Sequence, residues 1–123
     1  MIDSRIIDTS IWLDYFFDDK YKELINAPEI VIISTLSIFE IKRKLYQKKV
    51  EPIEIETLMT FLYQKCLIHP VSIEIAEIAV QLSIQHQLAT ADAIIYATAQ
   101  EGKAQLITRD NDFRGLPGVT VLK

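Results

Sequence analysis

Residues 5–13 read RIIDTSIWL, and this stretch sets the pattern of the fold. The short apolar run Arg5–Asp8 is typical of a buried strand, and its last residue is acidic. From Ile11 to Phe17 the chain is apolar on most sides, which predicts a helix that either lies deep or meets a partner. The chain is therefore predicted to open with a buried strand that ends at a carboxylate and leads directly into a helix.

The same alternation continues to the end of the chain. Further short apolar runs predict buried strands at Ile30–Ser34, Cys66–His69, Ala104–Thr108 and Val119–Leu122. Between these runs, apolar residues recur at helical spacing from Ile38 to Leu45, from Ile55 to Cys66 and from Ile75 to Leu82. Five strands and the helices between them are the result.

Local signals place the ends of several helices. Pro52 suits a first helical turn, Ser72 is a candidate N-cap, and Thr90 can cap a helix that runs to Glu101 before Gly102. Strands that alternate with helices favour parallel pairing, right-handed crossovers and helices on both faces of the sheet. We therefore predict an α/β fold, a three-layer α/β/α sandwich with a mostly parallel sheet of about five strands, formed by residues 1–123 as one domain.

The composition excludes several classes of protein. Half of the 123 residues are hydrophobic and 24% are charged, which argues against wholesale disorder. The net charge of -4 argues against nucleic-acid binding by bulk positive charge. Cys66 is the only cysteine, so an internal disulfide is impossible and a reducing cytoplasm fits best. Neither a signal-like start nor an apolar run of about 18 residues is present, so we expect a protein that is not exported by that route and does not enter a membrane.

Acidic residues follow the predicted strands or lie in the helices next to them. In an open parallel sheet, ligands bind beyond the carboxyl ends of the strands, so these positions are expected at one edge. Asp8 ends the first strand, Glu40 lies about one turn into the helix after the second, and Asp92 lies in the first turn of the Thr90 helix. Asp110 and Asp112 follow the fourth strand.

Each carboxylate also has a structural interpretation. Asp8 could cap the next helix, and Asp92 could interact with the dipole of its own helix. Glu40 could complete a capping box with Ser37 or pair with Lys44 at the i+4 position. The segment Asp110-Asn111-Asp112 could be ordinary turn chemistry. Taken one at a time, the residues leave these alternatives open.

Together the carboxylates favour a metal site. Two carboxylates about 4 Å apart repel by roughly 4 kcal/mol at an effective dielectric of about 20, so the cluster must take up protons or cations. His69 and His86 read more naturally as structural residues, and oxygen ligands without cysteine or a histidine pair favour Mg²⁺ or Mn²⁺ over Zn²⁺. A divalent cation is therefore the expected occupant.

Four segments in order resemble the acidic motifs of a known family. They are Ile7-Asp8-Thr9-Ser10, the Ser37-Ile38-Phe39-Glu40 helix, Thr90-Ala91-Asp92-Ala93 and Thr108-Arg109-Asp110-Asn111-Asp112-Phe113. This arrangement resembles that of PIN-domain ribonucleases, and the compact length is similar to that of VapC-type toxins of toxin–antitoxin modules. The resemblance covers nearly the whole chain.

The resemblance implies a metal-dependent endoribonuclease. Asp8, Asp92 and Asp110 would bind Mg²⁺ or Mn²⁺, with Asp112 as a further ligand, and Glu40 would complete the catalytic set. The hydroxyl groups of Thr9, Ser10 and Thr108 would lie outside the ligand set and form hydrogen bonds with the ligands. Implied partners are an RNA substrate, a cognate antitoxin protein and a second copy of the chain in a homodimer.

Basic residues near the motifs are candidates for contact with RNA phosphates. Lys42 and Arg43 lie on the same predicted helix as Glu40, whereas Arg109 and Arg114 flank the Asp110 motif. The helix residues could equally form a solvated face. Two other functions stay open at this stage, a housekeeping RNA-processing nuclease without an antitoxin and a non-catalytic regulatory module on the same fold.

Overall fold

The computed structural model describes residues 4–123. Its helices are α1 Thr9–Asp18, α2 Lys22–Asn26, α3 Thr35–Gln47, α4 Pro52–Lys65, α5 Ile73–His86 and α6 Thr90–Glu101. Its strands are β1 Ser4–Ile7, β2 Ile30–Ser34, β3 Leu67–His69, β4 Gln105–Thr108 and β5 Val119–Val121, with a 3₁₀ turn at Asn111–Phe113. All five predicted strands are present within one residue of the predicted bounds, but the prediction that the β3 run is buried is wrong, because β3 is an edge strand whose Leu67 and Ile68 are exposed.

The five strands form one parallel sheet in the order β3-β2-β1-β4-β5. The chain moves outward from β1 to β3 on one side and then returns to place β4 and β5 on the other side. The order therefore reverses between β1 and β4, and such a switch point opens a crevice beyond the carboxyl ends of the two strands.

Alternating side chains on the strands fill two cores. Ile6, Ile32 and Leu106 pack with α5 and α6 on one face. Ile7, Ile33 and Ile107 pack on the other face, with α1, α3 and α4. Because successive strand residues point to opposite faces, both faces are apolar and both are covered by helices. The α/β/α sandwich predicted from the sequence is confirmed.

Several local predictions hold and others need correction. Pro52 begins α4, and Ser72 caps α5 by accepting a hydrogen bond from the Ile75 amide. The prediction that Thr90 is a cap is wrong by one position, because Thr90 is the first residue of α6 and Ala89 precedes it without a side-chain bond. Helix α2 was not predicted, since a helix of five residues is too short to show apolar periodicity.

The first helix uses most of its apolar surface inside the molecule. Ile11 and Trp12 are fully buried, and the rings of Trp12, Tyr15 and Phe16 cluster with Phe61 of α4, with centroids 6.1–6.4 Å from that of Phe61. Of the two interpretations of this helix, deep packing is the better one.

Within residues 4–123, no helix is both long enough and apolar enough to cross a membrane.

Candidate active site

A cleft of about 400 Å³ opens beyond the carboxyl ends of β1 and β4, at the switch point of the sheet. Four carboxylates that the sequence singled out line it, from Asp8, Glu40, Asp92 and Asp110. Thr9, Ser10 and Arg109 also contribute to its wall, together with the apolar side chains of Leu13 and Ile95. Residues up to 102 positions apart in the chain thus meet in one place.

Asp8 is fixed at the floor of the cleft by two hydrogen bonds. The Thr9 amide donates to Oδ1 at 2.8 Å, so Asp8 caps α1. The buried hydroxyl of Thr108, at the end of β4, donates to Oδ2 at 2.8 Å. Thr108 Oγ1 in turn accepts a bond from the Asp110 amide at 3.0 Å. The capping and site interpretations of Asp8 are therefore compatible, because the capping carboxylate also lines the cleft.

Glu40 reaches the cleft from α3 and is held by Thr9. The Thr9 hydroxyl donates to Glu40 Oε1 at 2.8 Å, and Ser37 Oγ lies 3.0 Å from Thr9 Oγ1. The alternative capping box from Ser37 to Glu40 is excluded, because α3 begins two residues earlier and Ser34 is its N-cap. Glu40 is thus oriented by a residue of α1, an element other than its own helix.

Asp92, Asp110 and Asp112 form the tightest acidic group. One carboxylate oxygen from each lies within 4.8 Å of the others. Asp92 is placed by the first turn of α6, and Asp110 by the loop after β4, where its Oδ1 accepts the Asp112 amide at 2.9 Å. Asp112 is exposed in the 3₁₀ turn, whereas Asp92 and Asp110 are partly buried.

Burial and mutual repulsion raise the pKa values of two of these groups. Burial is the main reason that the pKa of Asp92 rises to about 6, and the charges of Asp110 and Asp8 add to it. Burial also raises the pKa of Asp8, against the opposing effect of the hydrogen bonds from Thr108 and Thr9. A cation that binds to such a cluster relieves the repulsion between the carboxylates and stabilises the folded protein.

The donor set fits a hard divalent cation. Every candidate ligand near the tightest group is a carboxylate oxygen, and neither histidine nor the buried Cys66 lines the cleft. Oxygen ligands of this kind suit Mg²⁺ and Mn²⁺. Asp92, Asp110 and Asp112 are the residues best placed to hold such an ion. Asp8 lines the cleft together with Asp92 and Asp110, whereas Asp112 is not part of its wall.

The predicted RNA-binding residues are not equally close to the cleft. Arg109 lines it, but Lys42, Arg43 and Arg114 are not part of its wall. The Arg43 guanidinium lies over the Phe39 ring, 5.0 Å from the centroid, and Arg114 donates to Asn111 Oδ1 at 2.6 Å. Of the four basic residues, Arg109 is therefore the one at the acidic site itself.

Sequence reasoning missed Asp14. Its carboxylate Oδ2 lies 2.9 Å from Nε of Arg109, so α1 is tied by an ion pair to the loop that carries Asp110. Nothing in the sequence pairs two residues 95 positions apart. The only available signal was the position of Asp14 one helical turn beyond Ser10, on a helix that starts at the sheet edge.

Comparison with known proteins assigns the class. The family model for the PIN domain matches residues 5–119. A chain of a toxin–antitoxin complex from Klebsiella pneumoniae is 32% identical, with 95% of this chain and 96% of that chain covered and a TM-score of 0.79. VapBC2 from Rickettsia felis bound to a promoter DNA fragment gives 16% identity, coverage of 97% for both chains and a TM-score of 0.78. VapC20 from Mycobacterium tuberculosis, a Sarcin-Ricin loop cleaving toxin, gives 15% identity, coverage of 92% and 95%, and a TM-score of 0.71.

This chain thus shares its parallel α/β fold with these structures. The chain belongs to the PIN-domain family, and its structural neighbours are the PIN toxins of VapBC systems. No curated protein sequence matches it.

Proposed function

We propose that this chain is a divalent-metal-dependent endoribonuclease and the toxin of a toxin–antitoxin pair, acting on RNA in the cytoplasm. The observation that carries the proposal is the meeting of Asp8, Glu40, Asp92 and Asp110 in one cleft. The raised pKa values of Asp92 and Asp8 support a site that is completed by a cation. The intact acidic set argues against a non-catalytic module on the same fold.

The chain's own residues divide the work as follows. Asp92, Asp110 and Asp112, with Asp8, would hold Mg²⁺ or Mn²⁺, and the ion would supply Lewis-acid stabilisation of a phosphodiester group and activation of water. Thr108 and the Thr9 amide keep the Asp8 carboxylate turned to the cleft. Glu40, oriented by the Thr9 hydroxyl, would accept a hydrogen bond from the attacking water and align it.

The substrate and partner proposals rest on the relatives. VapC20 is described as a toxin that cleaves the Sarcin-Ricin loop, and the Klebsiella pneumoniae chain comes from a toxin–antitoxin complex. We propose RNA as the substrate of this chain, a small antitoxin as its partner, and a homodimer as its assembly. Growth arrest on induction, relieved by a protein encoded next to it, would support the toxin, and unimpaired growth would favour a housekeeping nuclease.

Incubation of the purified protein with total RNA tests the enzymatic proposal. We expect new 5′ ends with Mg²⁺ or Mn²⁺, none in excess EDTA, and none with Asp8→Asn, Glu40→Gln or Asp92→Asn. Asn is as good an N-cap as Asp, so Asp8→Asn keeps the start of α1 while it removes the charge. Full cleavage in EDTA, or by an Asp8→Asn and Asp92→Asn double variant, would refute metal-dependent catalysis at this cleft.

A further inference from the structure

The cleft combines four carboxylates with a single basic residue. Asp8, Glu40, Asp92 and Asp110 line it, and Arg109 is the only Lys or Arg among its lining residues in the described part of the chain. Away from a bound cation, an RNA phosphate that approaches this wall meets repulsion except near Arg109. The position of this one guanidinium therefore matters for any polyanionic substrate.

The Arg109 side chain is held from outside the acidic group. Its Nε lies 2.9 Å from Asp14 Oδ2, and the Asp14 side chain is only 14% exposed, against 44% for that of Arg109. Asp14 lies on α1 and Arg109 directly follows β4, so the pair joins the two elements on either side of the switch point. The Nε–Oδ2 approach is an ion pair that lacks hydrogen-bond geometry, and no residue from 4 to 123 forms a hydrogen bond with the terminal Nη groups of Arg109.

We propose that Asp14 and Arg109 form a phosphate subsite at the cleft, in which Asp14 is a positioning residue and the terminal nitrogens of Arg109 bind a phosphodiester group of the substrate. This inference rests on the proposed ribonuclease function and deepens it. A guanidinium can form an ion pair with a carboxylate on its Nε side while its Nη groups donate hydrogen bonds to an anion. Without Asp14, Arg109 would be free to pair with Asp110, its neighbour in the cleft wall, and would then be lost to the substrate.

Removal of the Asp14 charge should change RNA binding in opposite directions for the two roles that Asp14 could have. If only the overall charge matters, Asp14→Asn should tighten RNA binding, because it removes a negative charge near a polyanion site. If Asp14 positions Arg109, the same variant should raise the KM for a fluorogenic oligoribonucleotide roughly threefold to tenfold and change kcat by less than about twofold. Asp18→Asn removes the same charge from an exposed site on the same helix and should leave KM unchanged or lower it.

Variants of Arg109 test whether Asp14 acts through it. Arg109→Ala should raise KM about tenfold or more and lower the salt dependence of RNA binding, measured by fluorescence anisotropy in EDTA, by about 0.7 in the log–log slope. Arg109→Lys should not restore KM, since one ammonium group cannot occupy both positions of the guanidinium. Asp14→Asn should have no further effect in the Arg109→Ala background.

Two results would overturn the subsite alone. If the wild type cleaves RNA and Asp14→Asn has the same KM as Asp18→Asn, Asp14 does not position Arg109. Additive KM effects of Asp14→Asn and Arg109→Ala would show that the two residues act separately. A wild-type protein that neither binds nor cleaves RNA would refute the proposed function together with the subsite, so the two failures are distinguishable. Circular dichroism melting of each variant separates a loss of the fold from a loss of the subsite.

Discussion

Two carboxylates follow β4, and they are held in different ways. Asp110 lines the cleft, and its amide is anchored to Thr108, which also binds Asp8. Asp112 is exposed two residues later, yet one of its oxygens lies within 4.8 Å of the oxygens of Asp92 and Asp110. Asp110 is therefore the better candidate for the main ligand after β4, with Asp112 as a further one.

Separate substitutions should rank these two residues. We expect Asp110→Asn to abolish cleavage and most of the stabilisation by Mn²⁺, because it removes a ligand that is fixed in the cleft wall. Asp112→Asn should retain part of both, since its exposed side chain is free to move. Initial cleavage rates and melting temperatures with Mn²⁺ show which of the two residues contributes more to metal binding. An inactive Asp112→Asn beside a nearly normal Asp110→Asn would reverse the assignment.

The raised pKa of Asp92 predicts a pH dependence of stability for the metal-free protein. Its pKa is about 6 in the folded state, against an ordinary value of 3.8, so the folded protein binds a proton more tightly than the unfolded chain does. The stability that this proton provides is fully present below about pH 4 and is lost as the pH rises through about 6.

As the pH rises from 5 to 7.5, we therefore expect the EDTA-treated wild type to lose free energy of unfolding relative to Asp92→Asn, because the Asp92 carboxyl loses its proton. Asp92→Asn lacks the titrating group, so the difference between the two proteins isolates the effect of residue 92. Urea unfolding at several pH values measures it. A constant difference in unfolding free energy across this range would contradict a raised pKa at Asp92.

At the scale of elements, the sequence predicted the strands better than the helix ends. The apolar runs of β1, β2 and β4 contribute to both cores, and this burial on both faces makes such runs recognisable as strands of a parallel sheet. The start of α6 and the whole of α2 were misplaced or missed, because one turn of helix leaves almost no periodic signal. The pattern also could not say how much of α1 would be covered by α4.

The packing of α1 on α4 gives a prediction at this scale. Phe61 lies against Trp12, Tyr15 and Phe16, so Phe61→Ala should lower the free energy of unfolding by about 2 kcal/mol or more. Phe39→Ala is the matched control, because Phe39 is 56% exposed on α3 and should cost much less. Urea denaturation compares the two. Equal losses would mean that the aromatic cluster contributes little to the fold.

At the scale of the whole molecule, the position of the site follows from topology. Asp8 and Asp110 were predictable as strand-end residues, and the reversal of strand order between β1 and β4 brings them together. The hydrogen bonds that orient them were not predictable, since the Thr108 hydroxyl and Asp8 are 100 positions apart. The same holds for Asp14 and Arg109, whose pairing depends on how α1 passes the loop after β4.

A metal site in the acidic cleft implies that the cluster of carboxylates destabilises the metal-free protein and stabilises the protein when a cation is bound. Asp92 contributes to both states, because it is repelled by its neighbours and belongs to the tightest carboxylate group. Asp92→Asn should therefore be more stable than the wild type without a bound cation and less stable than the wild type with one.

The most direct test is the melting temperature of the wild type and of Asp92→Asn at pH 7.5, first in EDTA and then with saturating Mn²⁺. We expect the variant to melt higher in EDTA. With Mn²⁺ at about 100 times its dissociation constant, the wild type should gain about 2.7 kcal/mol, or roughly 10 °C for a domain of this size, and melt above the variant. Equal Mn²⁺ responses in the two proteins, or no response in the wild type, would contradict a divalent metal site in this cleft.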